Sequence, residues 1–402
     1  MPLGISAKCR SIAPSATLTL DAKVKALRAA GEKVIGFAAG EPDFDTPLPI
    51  RDAMKEALDK GMTRYTPVPG TIELRDAIIK KMQKDFGLTY TRDEIIVSNG
   101  AKHSLYTALQ TLCDPGDEVI IPTPCWVSYP EMVRMAGGVP IFVEAGEEEG
   151  FIPSLASIAS AVTPKTKAFI LTSPNNPNGT VWGQDILEAL AALCVEKDFY
   201  ILSDEIYERL LYDGKEHVSM ASFAALSPQV KARTLLVNGV SKTYAMTGFR
   251  IGYTAGPRDV ISAMTNYQSQ ATSAPNTPAQ YAATVALSMP QDCVEEMRKA
   301  FETRRDLLVE GLNAIPGIHC VKPQGAFYVM MNISALLGKR LDDQFIANTS
   351  DFAEALLEKM HVAVVPGNAF MSETCCRLSY ATATEEIKEG LRRIAAFVKD
   401  LR

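Results

Sequence analysis

The chain has 402 residues, of which 47% are hydrophobic and 22% are charged, and its formal net charge is −6. This length exceeds the usual size of one domain, so it predicts two domains. The near-neutral balance gives no electrostatic reason to expect a nucleic-acid or membrane partner, and no run approaches the roughly 18 apolar residues of a membrane span.

From about residue 94, short apolar runs alternate with helical patterns. Strands are predicted at 94–97, 117–121, 139–143, 167–171, 199–202, 234–237 and 251–254, with helices at 101–112, 127–135 and 186–197 between some of them. Strands that alternate with helices predict a mostly parallel sheet with helices on both faces.

The last third of the chain has a different pattern. A long charged helix over 291–313 precedes predicted strands near 318–321 and 326–331, a helix over 351–360, strands at 362–365 and 377–381, and a helix over 385–401. This pattern predicts a smaller α+β domain from residues 1–46 and 291–402, beside a large α/β domain over 47–290. The long polar loop 338–348 is expected to lie near a site.

The cysteines and histidines of the chain give evidence on its cellular compartment and on whether it binds a metal. Eight cysteines are scattered from Cys9 to Cys376 without a C-x-x-C pair, and the four histidines are far apart in sequence. Scattered thiols are typical of a reduced cytosolic protein, and no apolar core of signal-peptide length is found near the start. We therefore expect a cytoplasmic protein, and nothing in the sequence indicates a metal site.

In an open parallel sheet, ligands bind beyond the carboxyl ends of the strands, so the residues after each apolar run are candidates. Residues 98–102 follow the first run and open a helix, with Gly100 at the turn. Free N–H groups and the positive end of the helix dipole suit a phosphate there. Many such turns contain glycine only to turn the chain, but the nucleotide motifs G-x-G-x-x-G and G-x-x-x-x-G-K-[ST] are not found.

Asp204 follows the apolar run 199–202 and Ser203. A carboxylate at the end of a buried strand is costly unless it is paired, and a cationic ring nitrogen would stabilise it. An isolated aspartate in such a place is more commonly a helix N-cap.

Lys242 follows the apolar run 234–237 in a small, weakly charged loop, eight positions before Arg250. An amine among apolar groups and other cations has a lowered pKa and becomes a nucleophile toward aldehydes. Arg250 and Ser241 offer a fork and a hydroxyl for a phosphate dianion. A reactive lysine, a buried acid and a phosphate anchor are what a pyridoxal-5′-phosphate (PLP) enzyme needs.

Three motifs in this order carry a family resemblance: Ser-Pro-Asn-Asn-Pro-Asn-Gly at 173–179, Ser-Asp-Glu-Ile-Tyr at 203–207, and Ser-Lys-Thr-Tyr-Ala-Met-Thr-Gly-Phe-Arg at 241–250. Over essentially its whole length the chain resembles the class I, fold-type I PLP-dependent aminotransferases, and among them the bacterial aspartate aminotransferases of the thermophile type. The resemblance implies an α/β fold of type I, with a mostly parallel seven-stranded sheet in the large domain and a smaller α+β domain. It also implies a homodimer with shared active sites.

The resemblance assigns roles around the cofactor. It implies that Lys242 holds PLP as a Schiff base and shuttles the proton, that Asp204 pairs with the pyridinium nitrogen, and that Tyr207 and Asn176 hydrogen-bond the ring's 3′ oxygen. Around the phosphate and the adjoining pocket it places Gly100, Ala101, Lys102, Ser241 and Arg250, with Trp126 stacked on the ring and Tyr65 reaching the partner subunit's phosphate.

For the substrate, the resemblance implies that Arg377 clamps the α-carboxylate, with Gly40, Asn176 and Trp126 nearby. Three of these residues have a plainer interpretation: Trp126 as a core aromatic, Asn176 as a turn residue and Arg377 as a structural arginine. Tyr65 likewise has a plainer role in packing.

In dicarboxylate-specific relatives, a set of residues binds the distal carboxylate of the substrate. The matching residues of this chain are Ser15, Thr17 and Lys102. Aspartate with 2-oxoglutarate is therefore the expected pair of amino-acid and 2-oxo-acid substrates, with ping-pong kinetics. For Ser15 and Thr17, ordinary helix capping is the alternative. Relatives that accept prephenate often have a lysine where this chain has Ala13, which disfavours prephenate. Aromatic amino acids and alanine remain open as substrates.

Two other functions are compatible with the fold. One is a PLP-dependent carbon–sulfur β-lyase, which the cofactor residues alone do not separate from an aminotransferase. The other is a PLP-sensing regulatory domain, which usually accompanies a basic DNA-binding segment that this sequence lacks. The complete catalytic set favours an enzyme over the regulatory domain.

Overall fold

The computed structural model describes residues 4–225 and 227–402, and a seven-stranded sheet lies at the centre of this part of the chain. The strands are β1 Ile35–Gly36, β2 Ile95–Ser98, β3 Glu118–Thr123, β4 Val139–Glu144, β5 Thr166–Thr172, β6 Tyr200–Asp204, β7 Thr234–Gly239, β8 Gly252–Ala255, β9 Tyr328–Asn332, β10 Arg340–Leu341, β11 Gln344–Phe345, β12 Val362–Ala363, β13 Val365–Pro366 and β14 Cys375–Ser379. The helices are α1 Ala7–Arg10, α2 Ala16–Ala29, α3 Leu48–Asp59, α4 Ile72–Phe86, α5 Ala101–Leu112, α6 Ser128–Met135, α7 Leu155–Ala161, α8 Gln184–Lys197, α9 Pro228–Lys231, α10 Arg258–Ala271, α11 Thr277–Ser288, α12 Asp292–Asn313, α13 Thr349–Met360 and α14 Thr384–Asp400.

The large sheet has the strand order β2-β8-β7-β6-β5-β3-β4. β8 runs antiparallel to both of its neighbours, and the other pairs are parallel. The predicted α/β class with a mostly parallel seven-stranded sheet is therefore confirmed. Each of these strands lies within two residues of its predicted bounds. Strands buried on both faces have largely apolar runs, and the edge strand β4, which is partly exposed, was found from its apolar run as well.

The alternation of side chains along the strands divides the core of the large sheet into two layers. Ile121 and Ile170 pack on the face covered by α5, α6 and α10, whereas Ile120 and Phe169 pack on the face covered by α7 and α8. This follows from the two-residue period of a strand. No helix in the described ranges is both long enough and apolar enough to cross a membrane.

A smaller set of elements is built from both ends of the chain. β9, β14 and β13 form an antiparallel sheet, and β1 of the N-terminal segment pairs in parallel with β12 near the C-terminus. Ile35 and Phe37 share one hydrophobic cluster with Phe301 of α12 and Phe352 of α13, but that cluster also includes Ile206 from beyond β6. The division at residues 46/47 and 290/291 stays a prediction.

Two expectations for the C-terminal part are wrong. The segment 318–321 forms a single bridge, between His319 and Asn332, rather than a strand. The loop 338–348 folds into the short hairpin β10–β11, buries Leu341 and Ile346, and hydrogen-bonds the backbone of Arg402. It does not line the cleft described below, because its two buried apolar residues hold it against the C-terminal helix instead.

Candidate active site

A cleft of about 450 Å³ opens beyond the carboxyl ends of the central strands β5, β6 and β7. Its walls come from the strand ends, from α2, from residues 38–41 and from β14. The predicted residues that it brings together are Thr17, Gly40, Ala101, Lys102, Trp126, Asn176, Asp204, Tyr207, Ser241, Lys242, Arg250 and Arg377. The strand-end rule for parallel sheets therefore located the cleft correctly.

Asp204 is the last residue of β6 and lies at the base of the cleft. Its Oδ2 accepts a hydrogen bond from the Tyr129 hydroxyl at 2.7 Å, and its Oδ1 accepts one from the backbone N–H of Ile206 at 3.3 Å. Burial raises the pKa of Asp204 to about 6, against the opposing effect of the Tyr129 hydrogen bond. Asp204 thus accepts a hydrogen bond from a nearby backbone N–H, as a helix cap would, and also lines the cleft.

Lys242 lies in the loop that follows β7, with its amine inside the cleft. The amine donates to the carbonyl of Gly40 and lies 5.9 Å from the centroid of the Tyr207 ring. Burial lowers the pKa of Lys242 to about 8, with help from Arg377 and Arg250 and against the opposing charge of Glu41. At neutral pH a useful fraction of this amine is therefore uncharged and nucleophilic.

One end of the cleft has free backbone N–H groups and two positively charged side chains. The first turn of α5 contributes the N–H groups of Ala101 and Lys102, which have no acceptor within the helix. Among the described residues, Arg250 donates to the carbonyls of Thr247 (2.8 Å) and Asn99 (3.3 Å). The pKa of Lys102 is lowered chiefly by burial and further by the positive charge of Arg250.

Arg377 enters from β14 at the opposite side of the cleft and is 2% exposed. Its guanidinium donates to Asn176 Oδ1 at 3.0 Å and to the carbonyl of Ala38 at 2.9 Å, and it lies 4.4 Å from the centroid of the Tyr328 ring. Nε has no hydrogen-bond partner among the described residues. The buried arginine thus has neutral partners and spare capacity for a carboxylate.

Two tyrosines lie between the lysine and the arginine. The hydroxyls of Tyr207 and Tyr328 are 3.0 Å apart, and burial raises the pKa of both. Each phenol is therefore protonated at neutral pH and can act as a hydrogen-bond donor.

Three predicted residues do not line the cleft. Gly100 lies behind it, at φ +88°, where a Cβ would meet Arg250 Nη2 at 2.5 Å. Ser15 is the N-cap of α2, and its hydroxyl contacts the Thr17 hydroxyl at 3.0 Å. Tyr65 is 95% exposed on the surface of this chain, so its predicted contact with a partner subunit stays a prediction.

Several residues of the cleft were missed from the sequence: Tyr129, Thr172, Glu41 and Tyr328. Thr172 is the last residue of β5, so the strand-end rule contained the signal for it. Tyr129 lies three residues after Trp126, and its ring meets the Trp126 ring edge to face at 5.3 Å. For Glu41 and Tyr328 we find no local signal in the sequence.

A buried ionic cluster behind the cleft was also not predicted. Ligand atoms of Glu205, Glu208 and His217 lie within 4.8 Å of one another. The Lys81 amine forms ion pairs with Glu208 and, at 3.0 Å, with Asp85. Because this lysine already supplies positive charge to the acids, we assign no metal to the cluster.

Comparison with known proteins gives concordant matches along the whole chain. Residues 32–394 match the family model described as aminotransferase class I and II. The chain is 49% identical to an aspartate aminotransferase of Geobacillus stearothermophilus, over 98% of this chain and 99% of the relative. It is 47% identical to an aspartate/prephenate aminotransferase of Thermus thermophilus, over 98% of each.

Solved structures agree with these matches. The aspartate aminotransferase of Rhizobium meliloti superposes with a TM-score of 0.95, at 44% identity over 100% of both chains. That of Thermus thermophilus with maleate superposes with a TM-score of 0.92, at 46% identity over 98% of this chain and 99% of the other.

Proposed function

Since the chain belongs to the class I and II aminotransferases, we propose that it transfers the amino group of aspartate to 2-oxoglutarate by a ping-pong mechanism, with PLP held covalently on Lys242. The observation that carries the proposal is the Lys242 amine, which lies in one cleft with a buried acid and an anion-binding helix end. We also propose that the protein works in the cytoplasm, in line with its eight unpaired cysteines.

The residues of the cleft fit PLP on three observations. The helix end of α5 with Lys102 and Arg250 has excess positive charge that suits a phosphate. Asp204 is buried and forms no ion pair within the described residues, so a cationic ring nitrogen would supply its missing partner. The lowered pKa of Lys242 suits an amine that must attack an aldehyde.

We therefore propose that the first turn of α5 with Ser241 and Arg250 would hold the phosphate, and that Trp126 and Asp204 would hold the ring. Further ring contacts are assigned to Asn176 and Tyr207. When bound, the cofactor supplies an electron sink for the substrate's Cα–H bond and a carrier for the amino group.

The side chains then divide the work of the reaction. Arg377 binds the substrate α-carboxylate through its guanidinium group, whose Nε has no other partner among the described residues, beside Asn176 and Gly40. Lys242 would be freed from the cofactor when the amino group of the substrate takes its place there. The free, neutral Lys242 amine then acts as the general base that removes the proton from the substrate Cα, and it later returns a proton. Tyr207 stays protonated beside that amine, and its hydroxyl is held by Tyr328.

For the distal carboxylate of the substrate we propose Thr17 and Lys102, both in the cleft wall, with Ser15 holding the Thr17 hydroxyl. A charged lysine and a hydroxyl at that end favour a dicarboxylate. The names of the relatives support aspartate, and maleate, present in one solved relative, is a dicarboxylate. Prephenate appears in the name of another relative, although this chain has Ala13 where a lysine often accompanies that activity.

Borohydride reduction of the native holoenzyme tests the covalent link. We expect a reduced pyridoxyl adduct on the peptide that contains Lys242, none in Lys242→Ala, and a retained adduct in Lys25→Ala, which removes another lysine of the same cleft. An adduct on a different lysine, or none, refutes the proposal.

A half-reaction screen tests the substrate. The holoenzyme is mixed with each amino acid while its absorbance is followed toward the pyridoxamine form. Aspartate and glutamate are expected to react fastest. Faster reaction of alanine or an aromatic amino acid refutes the aspartate assignment, and faster reaction of arogenate, the amino acid that corresponds to prephenate, replaces it with the prephenate activity.

A further inference from the structure

Beneath the cleft, three buried side chains form a continuous hydrogen-bonded chain. We propose that Thr172 and Tyr129 form a relay of hydroxyl groups that holds the Asp204 carboxylate ionised and in one orientation, so that both are positioning residues for the reaction. The inference deepens the proposed function and rests on it, since the charge on Asp204 matters to transamination when it faces a cationic ring.

The geometry of the relay follows from the sheet. Thr172 and Asp204 are the last residues of the adjacent parallel strands β5 and β6, and they lie opposite each other in the register. Tyr129, in the first turn of α6, extends over this pair. Its hydroxyl lies 2.6 Å from Thr172 Oγ1 and 2.7 Å from Asp204 Oδ2.

Counting protons gives the relay a direction. An ionised carboxylate only accepts hydrogen bonds, so the single proton of the Tyr129 hydroxyl must point to Asp204. The Thr172 hydroxyl must then donate to the Tyr129 oxygen. Burial and the nearby Asp204 charge raise the pKa of Tyr129 well above its ordinary value, so the phenol stays a donor throughout the working range of pH.

The other groups around Asp204 do not replace this donor. The backbone N–H of Ile206 donates over the longer distance of 3.3 Å. Glu205 opposes ionisation of Asp204, whereas Lys242 favours it with a smaller effect than the Tyr129 bond. The negative charge of Asp204 also raises the pKa of Tyr207, which therefore stays neutral. Burial has the largest effect and disfavours the ionised form of Asp204. Among the groups that favour the ionised form, the hydrogen bond from Tyr129 is therefore the strongest.

The relay is largely shielded from water, although its residues line the cleft. Tyr129, Thr172 and Asp204 are 2%, 5% and 3% exposed, so little surface is open to a solvent molecule that could replace the phenol. The Tyr129 ring also packs edge to face on Trp126. A Tyr129→Phe substitution keeps this ring contact and removes only the hydroxyl, which makes it the direct test.

The first experiment measures the titration of Asp204 in the cofactor-free protein, by carboxyl ¹³C NMR with the signal assigned through its loss in Asp204→Asn. We expect Tyr129→Phe to move the titration midpoint upward by about one to two pH units, because a hydrogen bond to a charged group is removed. Thr172→Val should shift it in the same direction by less, and Thr172→Ser should restore it.

Tyr106→Phe is the matched control. The Tyr106 hydroxyl bonds Tyr267 at 3.3 Å, away from the cleft, so its loss should leave the Asp204 midpoint unchanged. An unchanged midpoint in Tyr129→Phe overturns the relay. If Tyr129→Phe fails to fold, Thr172→Val and Thr172→Ser decide the same question.

The second experiment uses the holoenzyme. Tyr129→Phe should weaken PLP binding by roughly 10- to 100-fold at pH 8 and lower kcat with little change in the KM for the amino acid. An unchanged PLP affinity overturns the inference. Because the NMR titration needs no cofactor, a missing borohydride adduct on Lys242 would refute the proposed function separately from the relay.

Discussion

Lys242 and Asp204 show how burial acts on single residues of opposite charge. Removal from water penalises the charged form of each, so it lowers the pKa of the amine to about 8 and raises that of the acid to about 6. Near neutral pH the amine is then partly neutral while the acid is mostly ionised. A nucleophile and an anionic partner for a cation thus coexist in one cleft.

The amine gives a prediction for pH dependence. In the cofactor-free protein, the rate at which Lys242 captures PLP should rise with pH and reach half its maximum near pH 8, because only the neutral amine attacks. An ordinary lysine would give a midpoint near 10.4. Stopped-flow absorbance measures the rate. Glu41→Gln should move the midpoint lower, since the Glu41 carboxylate favours the charged amine, and a midpoint above 10 in the native protein would contradict the prediction.

The acid gives a prediction for stability. The pKa of Asp204 is raised from 3.8 to about 6 on folding, so stability is fully present below pH 3.8 and is lost as the pH rises through 6. Asp204→Asn, which stays neutral, should therefore make the cofactor-free protein more stable by about 2–3 kcal/mol at pH 8, with no gain near pH 4. Urea unfolding at both pH values measures this difference.

The control for that experiment is Asp343→Asn, at an exposed position of the β10–β11 hairpin, which should leave the free energy of unfolding within about 0.5 kcal/mol at both pH values. A destabilised Asp204→Asn at pH 8 would show that the ionised acid is compensated in the folded protein.

At the scale of elements, the anion site depends on how closely α5 approaches the loop that carries Arg250. Gly100 is the N-cap of α5 and has a positive φ, and the Arg250 guanidinium occupies the space that a side chain would need. The helix end and the arginine therefore converge on one point. A small residue is required there for contact with Arg250 as well as for the turn.

Gly100→Ala tests this requirement. We expect it to displace Arg250 and weaken the binding of inorganic phosphate and of PLP by about 10-fold or more, as expected for the loss of a charge-assisted contact. Titration calorimetry of the cofactor-free protein measures the affinity for phosphate.

Gly116→Ala is the matched control. Gly116 also has a positive φ, of +93°, but a Cβ there meets nothing within 4 Å. Both variants should lose a similar 1–3 kcal/mol of stability through backbone strain, and only Gly100→Ala should lose phosphate affinity. Equal phosphate affinities in the two variants would show that Arg250 does not contribute to the proposed anion site.

On the scale of the whole molecule, the cleft joins segments far apart in sequence. Arg377 of β14 bonds Asn176, which follows β5, and Ala38, which follows β1. Tyr65 does not line this cleft and is 95% exposed on the surface of the chain. This exposure is compatible with the homodimer that the sequence resemblance implies, in which each subunit would complete its partner's site.

Subunit complementation tests the shared site. Lys242→Ala and Tyr65→Ala homodimers should each have low activity. Mixed dimers contain one site with the native lysine and the native tyrosine, so random reassociation of equal amounts should recover about a quarter of the native activity. Assays on the mixture before and after reassociation measure it. Heterodimers that form without recovery would contradict the role of Tyr65.

Much of the fold could be predicted from local pattern. Most strands of the large sheet are apolar because both of their faces are buried, and this signal is present within runs of four to seven residues. The edge strand β4 is partly exposed, but its run is still largely apolar. The segment 318–321 was misjudged because a short apolar run does not show whether a partner strand exists. The loop 338–348 was misjudged because the burial of two apolar residues, Leu341 and Ile346, is enough to anchor a largely polar stretch.

The sequence by itself determined the family, the sheet and the residues at its strand ends, among them Asp204 and Lys242, because a short motif stays together in space when it follows a strand. Only the tertiary structure decided what surrounds these groups: Tyr129 and Thr172 against the acid, Gly40 against the amine, and the solvent exposure of Tyr65. The physical reason is that burial and hydrogen bonding depend on packing between distant segments, and these contacts set the charge of each group.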